Sequence, residues 1–428
     1  MNIISDLKDI GTWLNTTKEE VRVAIVGIVF SSIGFISSFI WENLTIFITS
    51  LIVITILVGF IIFKSKKSKK KYFSKIRQKQ INRLIGNIKT GQSSAIVGAF
   101  GQERTSILTY LEENSSEIFG RQNNTLIFSH LDLSSDFSKT DNQIIFWKKA
   151  LQILQDKFSD DINSSVIKAY NTCKEHDFDS LYLRKLNEQL KQNGLRLVLL
   201  LDRFDVSLDG VLNNEKFFTG LRTLASEASS PLCLVITTNE PIWQIHQDTK
   251  ELIGRGSPYL NFLEPGTITL GRITKQEVQE LLNIYNFSNN DKFFLKNIAG
   301  DHPFLLKTAI EQLNQEYEEE FGRQNPYVLS ILRLIFSKRV TKVIENAREN
   351  FSEYVENRLT DILQSWSPNL CKAFIAVAQE NDTYGFDKEI KELNRQGFLI
   401  KEGGNWQVSN SIFKDILSKD SITKLCQK

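Results

Sequence analysis

Cysteine and histidine are scarce: the 428 residues hold four of each. The cysteines (Cys173, Cys233, Cys371 and Cys426) lie far apart, with no Cys-x-x-Cys pair. That excludes a disulfide-built scaffold and a cysteine-rich zinc module, and it suits a reducing compartment. His130, His176, His246 and His302 are equally scattered, which argues against a zinc enzyme. An excess of one charge is lacking too. With 52 basic and 50 acidic residues the net charge is +2, so the chain as a whole is no electrostatic nucleic-acid binder. Long disorder is excluded by 41% hydrophobic and 24% charged residues. The length suits two or three folded units.

Charge is missing altogether from two stretches. Val23–Trp41 and Asn43–Phe63 carry none, and only Glu42 separates them. Each run is about 20 residues, enough to cross a bilayer as a helix. Trp41-Glu42-Asn43 supplies an interfacial aromatic, a charge and a turn former. The expectation is a two-helix transmembrane hairpin. A signal peptide fits less well, because the leader is long and slightly acidic and no small-residue cleavage site follows. Lys64, Lys66, Lys67, Lys69, Lys70, Lys71, Lys75, Arg77 and Lys79 follow the second run, Lys8, Lys18 and Arg22 precede the first, and the connecting turn has no cation. The positive-inside rule then places both termini in the cytoplasm of a bacterial inner (plasma) membrane protein with two spans. The basic run is a topology signal, a contact for anionic headgroups, or both. Gly27, Ser31, Gly34 and Ser38 share one helix face, suited to close packing against the second span or another protomer. No ionisable residue lies inside either span, so no ion pathway is indicated.

Downstream, apolar strands alternate with amphipathic helices. Ser94–Gly98, Thr125–Leu133, Leu195–Leu201, Pro231–Thr238 and Thr267–Leu270 read as strands, and Thr105–Glu112, Gln143–Phe158, Leu181–Gln192 and a segment around Phe217 as helices. This order predicts an α/β fold with a parallel sheet.

Two elements carry chemistry. Gly98-Ala99-Phe100-Gly101-Gln102-Glu103-Arg104-Thr105-Ser106 sits between a strand and a helix, where a phosphate-binding loop would read G-x-x-x-x-G-K-[ST]. Gly98 and Thr105 fit, Glu103 replaces the second glycine and Arg104 the lysine. Leu197-Val198-Leu199-Leu200-Leu201-Asp202 has the form of a strand whose terminal carboxylate holds Mg²⁺. Arg203 follows, where ATP-hydrolysing relatives often place an acid.

In this order the residues resemble bacterial STAND-type P-loop NTPases, a branch of the AAA+-like ATPases, over roughly residues 83–417. Phe146-Trp147-Lys148-Lys149 looks like the helix after the second strand, Val235-Ile236-Thr237-Thr238-Asn239 like the sensor 1 strand, and Ile268-Thr269-Leu270-Gly271 like the strand that closes the core. Gly300-Asp301-His302-Pro303-Phe304-Leu305-Leu306 looks like the lid motif, whose proline packs near the base. A KAP-type P-loop NTPase is the runner-up, on Leu201-Asp202-Arg203 and Gly256-Ser257-Pro258-Tyr259-Leu260. The resemblance implies nucleotide contacts from Gly98, Gly101, Arg104, Thr105, Ser106 and Pro303. It implies Mg²⁺ ligation by Thr105 and Asp202, a sensor role for Asn239, and ATP or ADP as the ligand. His302 then has a packing or base-proximal role. Arg255 is either a solvated arginine or a finger reaching a neighbouring protomer.

The departures favour a degenerate NTPase. Glu103 puts a carboxylate where phosphates belong, about 1 kcal/mol unfavourable at 4 Å even in water. Arg104 is bulkier than lysine, and Arg203 removes the expected acid.

The expected organisation is a cytoplasmic N-terminal segment 1–22, the hairpin 23–63, a basic linker 64–80, an NTPase-like core 81–276 and a helical lid 277–325. A helical connector 326–366 and a winged-helix-like domain 367–428 complete it. Gly403-Gly404 between two apolar runs gives that last domain its hairpin. Its second helix balances Asp387, Glu389 and Glu392 against Lys388, Lys391 and Arg395, which favours a protein contact over DNA. The bilayer and either a homo-oligomer or a membrane protein are the expected partners. The functions weighed are signalling, regulation or assembly at the membrane, a working or ATP-binding STAND switch, and a membrane-tethered DNA-binding regulator.

Overall fold

The computed structural model describes residues 76–426, apart from 100–102, 139, 160–163, 211, 227–229, 250–259, 286, 323–325, 420 and 423–425. The hairpin at 23–63, the linker up to 75, Gly101, Arg255 and the run Gly256–Tyr259 lie outside the described residues. Among the described residues no helix is long and apolar enough to cross a membrane.

Five parallel strands form the first unit: β1 (Ser94–Val97), β2 (Leu126–Asp132), β3 (Arg196–Asp202), β4 (Leu232–Thr238) and β5 (Ile268–Thr269). Their spatial order is β2-β3-β4-β1-β5, all pairs parallel. Both faces are covered, which is why β3 and β4 read as nearly unbroken apolar runs. Val198 and Leu200 of β3 face one core, with α1 (Gln78–Thr90) and α2 (Arg104–Glu113). Leu197, Leu199 and Leu201 face the other, with α4 (Gln143–Phe158), α5 (Ser165–Glu175), α6 (Ser180–Gln192) and α7 (Glu215–Ala225). The short α3 (Ser115–Phe119) precedes β2, and α8 (Ile242–Asp248) follows β4. Helix α1 starts in the last residues of the expected linker, and its residues 81–90 lie in the expected core. Ile76 just before it is fully buried.

A second core is helical: α9 (Lys275–Ile284), α10 (Asn289–Ala299), α11 (Pro303–Phe321), α12 (Pro326–Ile335) and α13 (Ser337–Gln364). Two of the breaks are chemical. Thr274 and Glu277 form a capping box on α9, and Ser288 and Asp291 form another on α10. Along α13, Val340, Val343, Ala347, Phe351, Val355, Leu359 and Ile362 recur every three or four residues, the stripe that packs in this core.

The chain ends as helix, helix, hairpin, helix: α14 (Pro368–Ala378), α15 (Asp387–Arg395), β6 (Leu399–Glu402) with β7 (Asn405–Val408), and α16 (Ser411–Leu417). This unit packs on the helical core and on the connector after β5. A Cβ at Gly271 would lie 2.2 Å from the Arg395 carbonyl oxygen, so only glycine permits the approach. Two findings depart from the sequence expectations. Cys371 and Cys426 are joined in a disulfide across a separation of 55 residues, with Cα atoms 5.5 Å apart, a pairing their spacing did not suggest. Helix α15 is neutral in sequence but not on its surface. Glu389 and Glu392 are buried, while Lys388, Lys391 and Arg395 are exposed.

Candidate functional site

In an open parallel sheet, ligands bind beyond the carboxyl ends of the strands, near the point where strand order reverses. Here those ends bring together Val97, Asp132, Asp202 and Thr238, and the loop after β1 runs into α2. Gly98 is buried, and its N–H donates to the Thr238 carbonyl at 3.1 Å. Glu103 is the residue before α2. Its φ of 68° is one that glycine adopts freely, so the backbone keeps the left-handed turn although the residue has changed. No side chain caps α2, and its first turn holds no acid. A helix start of this kind favours an anion.

Asp202 is fully buried at the end of β3. The Thr105 hydroxyl donates to its Oδ2 at 2.5 Å. The Thr237 hydroxyl donates to its Oδ1, and so does the Arg203 N–H at 3.1 Å. Thr105 and Asp202 thus sit directly against each other. They are oxygen donors of the kind Mg²⁺ takes. Ser106 is exposed beside them.

Arg104 does not reach outward as the lysine of a phosphate loop would. It is 8% exposed. Burial lowers its pKa, opposed by the neighbouring carboxylates of Asp205 and then Asp202. Its Nη1 has no hydrogen-bond partner. Arg203, in the catalytic acid's position, turns away. Its Nη1 donates to the Ser134 hydroxyl at 2.5 Å and its Nη2 lies 3.7 Å from Asp132. Burial pushes the Asp132 carboxyl up, but the Ser134 N–H and hydroxyl and the Arg203 charge outweigh it and hold the group below its usual range. Asn239 at the end of β4 donates from Nδ2 to Asp205 at 2.8 Å.

Two participants were not assigned from sequence. Asp205 stands one turn after Asp202, on the 3₁₀ segment Phe204–Asp209, and accepts from Asn239. The Asp-x-x-Asp spacing was its only signal. Arg77 comes from the far end of the unit. Its side chain is fully buried, with Nε 3.6 Å from Glu103 Oε2, and its backbone N–H donates to Glu277 at 2.8 Å. None of its three guanidinium nitrogens has a hydrogen-bond partner among the described residues. Arg77, Glu103 and Arg203 are three of the six non-glycine residues with positive φ among the described residues. Such strain gathers at functional sites.

Pro303 starts α11, buried. His302 beside it is 2% exposed, packed against Phe304, Phe398 and Phe413. Burial, with Arg272 and Arg77 nearby, pushes its pKa down to about 3, so the ring is neutral. It joins the helical core to the C-terminal unit, and no hydrogen bond to either ring nitrogen is present.

No family model matches the chain, and no curated protein does. Solved structures do. A Walker-type ATPase of Pyrococcus abyssi is similar over 80% of this chain and 95% of its own, at 14% identity and TM-score 0.50. The fold is that of a P-loop NTPase. Two Aeropyrum pernix proteins are also similar. ORC2, solved with ADPNP and ADP, has 11% identity and TM-score 0.46, covering 82% of this chain and 94% of its own. ORC1, solved with DNA, has 10% and 0.35, covering 81% and 93%. Within this P-loop fold the metal half of the site fits Mg²⁺, through Thr105 and Asp202. The phosphate half departs in its residues, since Glu103 brings a carboxylate to the turn and Arg104 is a buried arginine where the lysine would stand.

Proposed function

We propose that this chain is a membrane-anchored, STAND-like P-loop protein whose NTPase site is degenerate, acting in signalling, regulation or assembly at the membrane. The observation that carries the reading is the internal use of the site's charges. Arg104 is buried, Glu103 pairs with Arg77, and Arg203 is spent on Ser134 and Asp132. No acid follows Asp202 to activate a water, and the cation that should reach a phosphate is held inside. The body then acts by conformation and contact. Its helical units are a lid and a winged-helix-like domain, its partners are copies of itself or a membrane protein, and the uncharged runs at 23–63 hold it to the bilayer with both termini in the cytoplasm.

A second reading is supported by the retained backbone. The left-handed turn at Glu103, the uncapped start of α2 and the buried Arg77 guanidinium are features that an anionic ligand would complete. In that reading ATP or ADP with Mg²⁺ is held by Gly98, Thr105, Ser106 and Asp202, and the protein is a nucleotide-bound switch.

Purifying the full chain in detergent, denaturing it and assaying released nucleotide tests both. The first reading expects no stoichiometric nucleotide and no phosphate release from Mg-ATP. Bound nucleotide without turnover selects the switch. Turnover abolished by Thr105→Ala would overturn the degenerate site.

A further inference from the structure

Helix α12 turns its charge inward and leaves apolar side chains exposed. Its charge faces inward: Arg333 is 9% exposed, and its Nη1 lies 3.5 Å from Oδ2 of the fully buried Asp291. The guanidinium also sits 4.1 Å over the Tyr317 ring, and the Tyr317 hydroxyl donates to Asp291 at 2.7 Å. Three apolar side chains are exposed: Val328 is 38% exposed, Ile335 64%, and Phe336 just beyond the helix 39%. At 3.6 residues per turn, Val328 and Ile335 fall on one line and Arg333 on nearly the opposite side. Leu329 of the same helix packs against the helical core, so α12 is held along another line and leaves this one exposed. The arrangement is also locked. Turning the apolar line inward would strip Asp291 of its cation and leave a buried carboxylate uncompensated.

The surroundings indicate what covers this face. Immediately after Phe336, Lys338 and Lys342 at the start of α13 are exposed. Arg339 lies 5.2 Å over the Phe336 ring and 3.5 Å from Glu320, which matches that carboxylate. Apolar side chains in one line with lysines at their edge match the boundary of an anionic bilayer, where the chains sink and the ammonium groups stay at the headgroups.

We propose that the Val328–Ile335–Phe336 face rests on the anionic lipid surface and is a second membrane contact of the folded body. This rests on the membrane-anchored reading above, in which the uncharged runs 23–63 and the cations of 64–79 bring the body to a bilayer.

The test uses the full chain in vesicles of phosphatidylcholine and phosphatidylglycerol. Cys173 and Cys233 are buried, and Cys371 and Cys426 are bonded, so an introduced thiol can be labelled selectively. Ile335→Cys and Val328→Cys carry a fluorophore, with Leu181→Cys, 48% exposed on α6, as control. Lipid-borne nitroxide is expected to quench positions 335 and 328 several-fold more than 181, and less so when phosphatidylglycerol is omitted. Equal quenching at all three positions would overturn the proposal. So would copy-to-copy cross-linking through residue 335 without lipid quenching, which would assign the face to a second protomer. An alkaline carbonate wash reports the anchor separately. Chain retained but unquenched removes this face and spares the anchor. Chain stripped, with quenching seen before the wash, removes the anchor and supports this face.

Discussion

Arg77 and Glu103 are 26 residues apart in the chain, yet their ion pair joins the entry to the folded body with the turn before α2. The two sides are unequal, Arg77 being fully buried and Glu103 15% exposed. Removing the carboxylate strands a cation that water cannot reach, so Glu103→Gln is expected to cost about 3 kcal/mol or more. Arg77→Met leaves a carboxylate with some access to water and costs less. The double variant removes both charges and recovers most of the loss, as denaturant midpoints of the three proteins would reveal. A cost under about 1 kcal/mol for Glu103→Gln would mean that the guanidinium is satisfied elsewhere. His302 permits a prediction with a pH axis. Its folded pKa is about 3, set by burial and then by the charges of Arg272 and Arg77, against about 6.5 in an unfolded chain. Between those values only the unfolded chain takes up the proton. The contribution is therefore whole above about pH 6.5 and falls by about 1.4 kcal/mol per unit as the pH drops toward 3. His302→Phe, set among Phe304, Phe398 and Phe413, is expected to keep its stability near neutrality and to flatten the acid slope of the melting temperature. An unchanged slope would place the titration in other groups.

At the scale of elements, the contact between the connector after β5 and the end of α15 is fixed by backbone against backbone. Gly271→Ala puts a methyl 2.2 Å from the Arg395 carbonyl, which no rotamer change relieves. The expected result is partial undocking of the C-terminal unit. Hydrogen exchange would rise over 387–400 and at His302, while β3 and β4 stay protected. A uniform loss of protection would show that the units unfold together and would sink this picture. The strands of the sheet were legible in the sequence because β3 and β4 are buried on both faces and carry hardly a polar side chain. Helices α4 and α15 matched their expected bounds, since amphipathic spacing and turn residues agree there. Helix α1 was not legible, because its polar face continues the basic run before it. The site was legible along single segments only. Gly98, Thr105, Asp202 and Asn239 follow motif spacing. Arg77 and the Asp205–Asn239 bond arise from crossings between strands and helices, which no local spacing encodes.

Considered as a whole, the described chain opens on residues that reach its most unusual site. Ile76 joins the helical core, and Arg77 spans to Glu103 and, through its N–H, to Glu277 at the start of α9. These two residues therefore tie the turn before α2 and the first helix of the helical core together. Two truncations separate a passive tether from a working part. A chain beginning at Ser74 keeps Ile76 and Arg77, so its body should melt within a few degrees of the parent. It should also be found in the wash when the full chain stays with vesicles. A chain beginning at Lys79 loses a buried isoleucine, for which about 2–5 kcal/mol is the usual cost of truncation. It also leaves Glu103 without Arg77. It should melt far lower, with α9 and α2 losing protection first. If both truncations behave alike, Ile76 and Arg77 carry no load and the entry point is only an attachment. If only the second collapses, Ile76 and Arg77 are a working part of the fold that couples the entry point to the site.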